Sequence, residues 1–509
     1  MIIERRKNAS RNIISGFAFK LFQTLTPFLI RTVMIYKLGM EYVGLDSLFV
    51  SILHVLNLAE MGVGSAMVYS MYKPIAADES GKIRSLLNLY KKYYRIIGLI
   101  VLLSGLAILP ILPKLIKENV PDGLNLYVLY LINLASTVLS YWLFAYRNSL
   151  LMAHQRTDKT NIIQLIAYGF RYGLQFVALM VFRSIYLYFM AVLASQFLNN
   201  IAILIVTKRL YPDYDPTGSV EPEEKKAINT HIKDLFTAKL GGTITNSADT
   251  VVISAFLGLT VLAEYNNYYY VISAIIGFIT IILQSCLAGI GNSIVVDSLD
   301  KIYNDFKKFS MLMHWVIGYC TVGLFCLLQP FMKIWVHEAN MLEDPIAILL
   351  CVYFYILEVA VVWATYKDAG GIWHKDRFRP LVVTAVNLSL NLLSVNFFGL
   401  YGVIISTLVS YLFVGMPWML SNVFKYVFKT KPTDYLLREV YYLLVTAAVC
   451  VLTYLVCGLI KLENIYGFLI KGVVLTVVSN LLFALAFFKL KEFSEVKRIF
   501  TRFLKKKNE

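Results

Sequence analysis

Apolar residues come along this chain in long blocks, not in the short rhythms of soluble strands and amphipathic helices. A bilayer core of about 30 Å is crossed by about 20 helical residues. With that ruler the chain predicts fourteen membrane-spanning helices, at 13–36, 48–71, 96–112, 126–146, 162–182, 186–206, 235–257, 268–290, 310–331, 346–366, 381–397, 403–420, 440–460 and 465–488. The expected fold class is an all-α polytopic membrane protein. No polar stretch is long enough for a soluble domain. The longest, 207–234, carries YPDYDPTG and then EPEEKK, whose proline, glycine and charge content marks a linker.

Composition agrees. The 509 residues are 58% hydrophobic and 16% charged, with a mean hydropathy of +0.65. A soluble domain carries about 25% charged residues. Disorder, coiled coil and a disulfide-stapled secreted domain are excluded on the same grounds. The six cysteines lie in apolar runs without a CxxC pair and read as small core residues. The six histidines lack the i, i+4 spacing of a metal site, so no metal is expected. No P-loop, dinucleotide-binding glycine motif, Ser/His/Asp set or carboxylate pair is recognisable, so neither a nucleotide cofactor nor an enzymatic activity is expected. The basic start, MIIERRKNASRN, leads into a span with no small-residue cleavage site, so that span is expected to stay in the membrane.

The net charge of +16 follows from topology. With the N-terminus in the cytoplasm, Lys37, Lys114, Lys117, Arg183, Lys333 and Lys461 face the opposite side. Lys20, Arg31, Arg171, Lys239 and Lys471 lie inside spans. The rest of the 48 lysines and arginines fall on the cytoplasmic side, as the positive-inside rule demands. Both termini are therefore expected in the cytoplasm, and no nucleic-acid partner is needed. The tail KLKEFSEVKRIFTRFLKKK spaces Leu490, Phe493, Val496, Phe500 and Phe503 along a basic segment. It reads equally as an amphipathic helix on an anionic leaflet and as a solvated basic tail.

The chain also repeats itself. LGMEYVGLDSLFVSI from Leu38 returns as LGLTVLAEYNNYYYVI from Leu257, and Tyr146-Arg147 before His154 returns as Tyr366-Lys367 before His374. Both matches share an offset of about 220 residues. Helices one to six and seven to twelve then form duplicated halves of like topology, a common plan among alternating-access transporters. The expected organisation is an N-terminal lobe at 1–210, a cytoplasmic linker at 211–234, a C-terminal lobe at 235–425, two further helices at 426–488 and a basic tail at 489–509.

Each Lys or Arg at mid-bilayer costs about 2.5–3.5 kcal/mol on insertion scales, so it faces a cavity, finds a partner or snorkels. Lys20 and Arg31 are eleven residues apart and share a helix face with Gln23 and Pro27. The repeat offset carries Lys20 onto Lys239, whose helix face holds Thr243, Asn246 and Thr250. Arg171 falls near mid-span. Arg31 and Lys471 lie near outer helix ends, where snorkelling is the alternative. The expected ligand-binding set is Lys20, Arg31, Arg171 and Lys239, with Gln23 and Asn246 as hydrogen-bonding partners. The acids Glu60, Asp249 and Glu358 are expected to neutralise these cations or to carry a coupling proton or sodium ion. A cavity with excess positive charge implies an anionic ligand, and phosphate is the usual partner of Arg and Lys.

Three stretches carry a likeness: LGMEYVGLDSLFVSILHVLNLAEMGVGSAMVYSMYKPIA from Leu38, NSADTVVISAFLGLTVLAEYNNYY from Asn246 and AGIGNSI from Ala288. They resemble the polysaccharide transporter branch of the multidrug/oligosaccharidyl-lipid/polysaccharide exporter superfamily, the Wzx-type flippases. The resemblance implies two six-helix lobes around a central cavity, with two extra C-terminal helices. It implies a flippase for undecaprenyl-diphosphate-linked oligosaccharides in the bacterial plasma membrane, with membrane lipid and other polysaccharide-assembly proteins as partners. It also implies ion or potential coupling, and cationic cavity residues, here Lys20, Lys239 and Arg171. The peptidoglycan lipid II flippase is a second relative, but its arginine-rich first-helix pattern with an Arg-Asp pair is absent: this chain reads FLIRTVMIYKLG. The multidrug extruders usually have twelve helices and a carboxylate-built cation site. A membrane polymerase or glycosyltransferase needs longer outer loops than 113–125 and 332–345.

Overall fold

The computed structural model describes residues 5–117, 121, 123–462 and 464–498. The side chains of 5–14, 17, 234, 237–239, 241–243, 245 and 246 lie outside that description. The described residues form helices joined by turns and short loops, without a strand. Each of the fourteen predicted spans overlaps observed helix, although 48–71 and 126–146 each run across a break. Among the described residues, nine helical runs are long and apolar enough to cross a membrane, or ten with one bent pair. The run Trp373–Phe428 carries two predicted spans, folded back at Gly399 with φ 54° and ψ −132°. Ser394 Oγ meets Ser406 Oγ at 3.0 Å across that turn. The remaining predicted spans lie on Arg5–Lys37, Ser80–Ile108 and Pro222–Leu257, helices of 33, 29 and 36 residues. They are long enough to cross at about 1.5 Å per residue.

The chain divides into two compact units, Met1–Ala263 and Glu264–Glu509. In the first, α1 (Arg5–Lys37) leads to α2 (Met40–Leu56), α3 (Val63–Ala76), α4 (Ser80–Ile108) and α5 (Leu126–Trp142). Then follow α6 (Asn148–Ala153), α7 (Thr157–Met180), α8 (Ile185–Leu210) and α9 (Pro222–Leu257). Aromatic pairs hold α1 on α7, with Phe19–Tyr168 at 5.7 Å and Phe22–Tyr172 at 5.8 Å. Helix α2 lies along α9. A Cβ at Gly44 would sit 2.1 Å from the Leu259 carbonyl oxygen, so only glycine allows that approach.

Two helices of this unit are interrupted. Between α2 and α3 the chain runs through a tight turn, Asn57–Glu60, and a left-handed Gly62 at φ 92°. Between α5 and α6 it turns at Phe144, φ 55°, and Ala145–Arg147, bending by 48°. Only residues 211–221 of the expected linker are non-helical. Pro222, with Glu223 and Glu224 in the first turn, starts α9 early, because proline fits N1 and acids suit the helix dipole. The linker is tied down by Arg147 Nη2 to Asp215 at 2.8 Å, Arg84 Nε to the Asp213 carbonyl at 2.6 Å and Asn88 to the Gly218 carbonyl at 2.8 Å.

The second unit takes in most of α10 (Leu259–Val296), then α11 (Leu299–Val336), α12 (Asp344–Ala369), α13 (Trp373–Asp376) and α14 (Arg379–Ser410). It ends with α15 (Met416–Val423), α16 (Thr433–Gly458) and α17 (Ile465–Phe487). Helix α12 is its core element: 67% of its apolar window is buried, against 17% in α17. Helices α11, α16 and α17 share a core of Met311, Val322, Tyr442, Val449, Leu475, Phe483 and Phe487. The tail is helical again at 491–498. Leu490, Phe493 and Val496 pack on that same core, and Lys308 binds Glu495 at 2.8 Å. The tail's apolar stripe is thus met by protein over 490–496, correcting both readings of the tail there. Phe500 and Phe503 lie outside the described residues.

Candidate functional site

The first unit gathers charge where α1, α2, α7 and α8 meet. Arg31 and Arg171 are half-buried, and both exert their charge on Asp46 of α2. The Tyr188 hydroxyl lies 3.5 Å from Asp46 Oδ2. The Arg171 guanidinium stands 5.5 Å from the Tyr172 ring centroid, and its Nε is buried without a hydrogen-bond partner. Gln175 is fully buried; its amide reaches the Tyr188 carbonyl at 3.5 Å, and its Oε1 is buried without a partner. Two guanidiniums act on this one carboxylate. In low dielectric, cations held so attract an anion strongly.

The structure therefore brings Arg31 and Arg171 together, around an acid that the predicted second span, starting at 48, leaves outside. Lys20 and Gln23 are exposed on α1. Lys20 stands about 16 Å along the helix from Arg31 and is not part of this cluster. Lys239 and Asn246 lie on α9, their side chains outside the described residues. Asp249 is buried in α9 and Glu358 in α12 of the second unit. Glu358 Oε2 has no hydrogen-bond partner.

Glu60 sits at the break in the second span, beside a cavity of about 380 Å³ that both helix breaks line, through Gly62, Gly64, Ala145 and Asn148. Tyr94 donates to Glu60 Oε1 at 2.8 Å, and Tyr90 donates to the Tyr94 hydroxyl at 2.7 Å. Tyr141 holds Asn57 at 2.8 Å. These hydrogen bonds tie the side chains of the break, Asn57 and Glu60, to α5 and α4.

The repeat-related bases Arg147 and Lys367 are buried, each in its own unit. Arg147 binds Asp215, while Lys367 binds Asp368 at 2.7 Å and Asp376 at 3.4 Å.

Residues 9–287 match the family described as polysaccharide biosynthesis protein, and the chain belongs to that family. Comparison with curated proteins finds no match. Among solved structures, the fold is similar to the lipid II flippase MurJ in its inward-closed conformation. The TM-score is 0.70 at 15% identity, over 94% of this chain and 99% of that one. It is also similar to an inward-facing multidrug resistance MATE family transporter of the MOP superfamily, with TM-score 0.65 at 14% identity, over 80% and 97%. A MOP superfamily transporter from Pyrococcus furiosus, described as having a binding pocket of reverse polarity, matches with TM-score 0.55 at 14% identity, over 84% and 97%. The protein is a multi-pass, all-helical membrane protein with the fold of MOP-superfamily transporters.

Proposed function

We propose that this protein is a flippase that moves undecaprenyl-diphosphate-linked oligosaccharide across the bacterial plasma membrane, by alternating access of two six-helix repeats. Family membership supports the polysaccharide branch. The observation that carries the anionic substrate is the convergence of Arg31 and Arg171 on Asp46. In this reading the diphosphate binds beside Asp46. Planar, permanently charged guanidinium suits it. Lys20 and Lys239 are the repeat-related cations assigned to the same substrate, and Gln23 and Asn246 are assigned to its glycan. The chain then works as a carrier, not an enzyme. Its termini face the cytoplasm, where polysaccharide-assembly proteins supply the substrate. A sodium ion or proton supplies the driving force.

The test is reconstitution in proteoliposomes with a fluorescent undecaprenyl-diphosphate oligosaccharide, translocation being read by an external glycosidase. Losing charge-assisted hydrogen bonds worth about 1.5–3 kcal/mol slows flipping about 10–100-fold in a folded Arg31→Ala/Arg171→Ala protein. Unchanged flipping in that variant removes the site assignment. Efflux of organic cations with no glycolipid flipping overturns the function.

A further inference from the structure

A second buried ionisable pair lies in the other unit. His314 of α11 is fully buried, and Glu439 of α16 is 13% exposed. The imidazole Nδ1 lies 2.8 Å from the Ser310 carbonyl oxygen, one turn back. A carbonyl only accepts, so Nδ1 carries a hydrogen. The other ring nitrogen, Nε2, lies 2.9 Å from Glu439 Oε2. A neutral ring with its hydrogen on Nδ1 would turn a bare lone pair toward a carboxylate there. The contact is attractive only with a proton between the two groups. That proton belongs either to an imidazolium facing a carboxylate or to a carboxylic acid donating to a neutral ring. Both states hold the same single proton, so the pair binds and releases it as one unit.

Ser310 Oγ also lies 3.3 Å from Nδ1, but the nearer contact is the carbonyl at 2.8 Å, which sets the hydrogen on Nδ1. The Tyr435 hydroxyl faces Glu439 as well. On α16, the Tyr435 hydroxyl meets Ser310 Oγ at 2.8 Å and accepts from Trp363 Nε1 of α12 at 3.0 Å. Tyr442 covers the ring at 4.5 Å, and Tyr355 of α12 flanks it at 6.3 Å. Arg438 is engaged by Glu492 of the tail helix. Lys308, nearer the start of α11, is held by Asp305 and Glu495. Glu439 Oε1 is buried without a partner. Glu439 stands about 9 Å from the start of α16. By the charge topology that start is cytoplasmic, so the proton enters from that side.

We propose that His314 and Glu439 form a one-proton binding site, and that its occupancy couples the flipping proposed above to the pH gradient. The coupling half rests on that reading; the proton chemistry does not. Uptake joins α11 to α16 through the shared proton. Release sets the ring lone pair against the carboxylate and loosens the helix pair.

Glu439→Gln separates a proton site from a plain structural clamp. Its amide N–H donates to a neutral His314 Nε2 in the same place, but it carries no exchangeable charge. The full-length protein in lipid nanodiscs is titrated across about pH 5–8, with proton uptake and infrared difference spectra as readouts. Expected is about one proton less taken up by Glu439→Gln than by wild type, at an unchanged melting temperature, and loss of the carboxyl band. In proteoliposomes, wild-type flipping changes severalfold with an imposed pH gradient, and flipping by Glu439→Gln ignores it. Equal proton uptake in the two proteins overturns the site. A proton that titrates while wild-type flipping ignores the gradient overturns the coupling. If wild type flips no glycolipid, the transport reading fails, and the titration still decides the proton site.

Discussion

Asp46 and Glu439 are each one or two residues outside a predicted span, at 48–71 and 440–460, yet each lies inside a helix, α2 from Met40 and α16 from Thr433. A charge lowers local hydropathy, so an apolar ruler ends its window at the residue whose burial matters most. Arg31 and Arg171 were legible because long apolar runs flank them on both sides. Their convergence was not, because it depends on how α1 packs on α7. Removing one partner of a buried ionic cluster costs about 3–5 kcal/mol by leaving uncompensated charge. Asp46→Asn is therefore expected to lower the melting temperature in detergent sharply. Asp46→Asn with Arg171→Met is expected to recover part of that loss. A double variant no more stable than the single one would show that Asp46 is not the anion these arginines need.

At the scale of elements, helices were legible where apolar blocks were long, and their interruptions were not. The break at Asn57–Gly62 lies inside one continuous apolar block, 48–71, where Gly62 and Gly64 read equally as loosening the helix or as close packing, and the positive φ of Gly62 decides between them. The linker was recognised from proline and charge, but its docking was not, since Asp215 meets Arg147 across 68 positions of sequence. His154 anchors the same docking. Its ring stacks on Tyr211 at 4.2 Å, and Nδ1 lies 2.8 Å from the Leu150 carbonyl. Burial lowers its pKa from 6.5 and outweighs the backbone hydrogen bond. The folded state therefore favours the neutral ring. Stability from this group is full above the ordinary histidine range and is lost as pH falls through and below it. Thermal unfolding from about pH 8 to 5 should show that acid loss in wild type and a shallower one in His154→Phe; parallel curves would remove His154 as its cause. Where α2 meets the first residue of α10, Gly44→Ala forces a methyl onto the Leu259 carbonyl. The expected cost is about 1–3 kcal/mol, read as a lower melting temperature than for Gly173→Ala, where a Cβ meets open space.

For the whole molecule, the solvent is the decisive fact. Leu437 at 74% exposure, Leu444 at 62%, Leu455 at 61% and Leu485 at 73% stand outward on α16 and α17. Apolar surface of that extent needs an apolar cover, which lipid supplies around membrane-spanning helices. Lipid fixes the plane but not the sense of insertion, which basic residues decide. In the proposed function, that sense also sets the side from which a proton reaches Glu439. A single cysteine placed on a background lacking the six native ones reads it directly. Ala339 lies exposed between α11 and α12, and Ser80 lies exposed at the start of α4. An impermeant maleimide is expected to label Ala339→Cys in intact cells and Ser80→Cys only after lysis. One miscounted span between them would put both on the same side. Reversal of both labels would turn the molecule over, placing the basic tail and the start of α16 outside, and the proton would then enter from the other compartment.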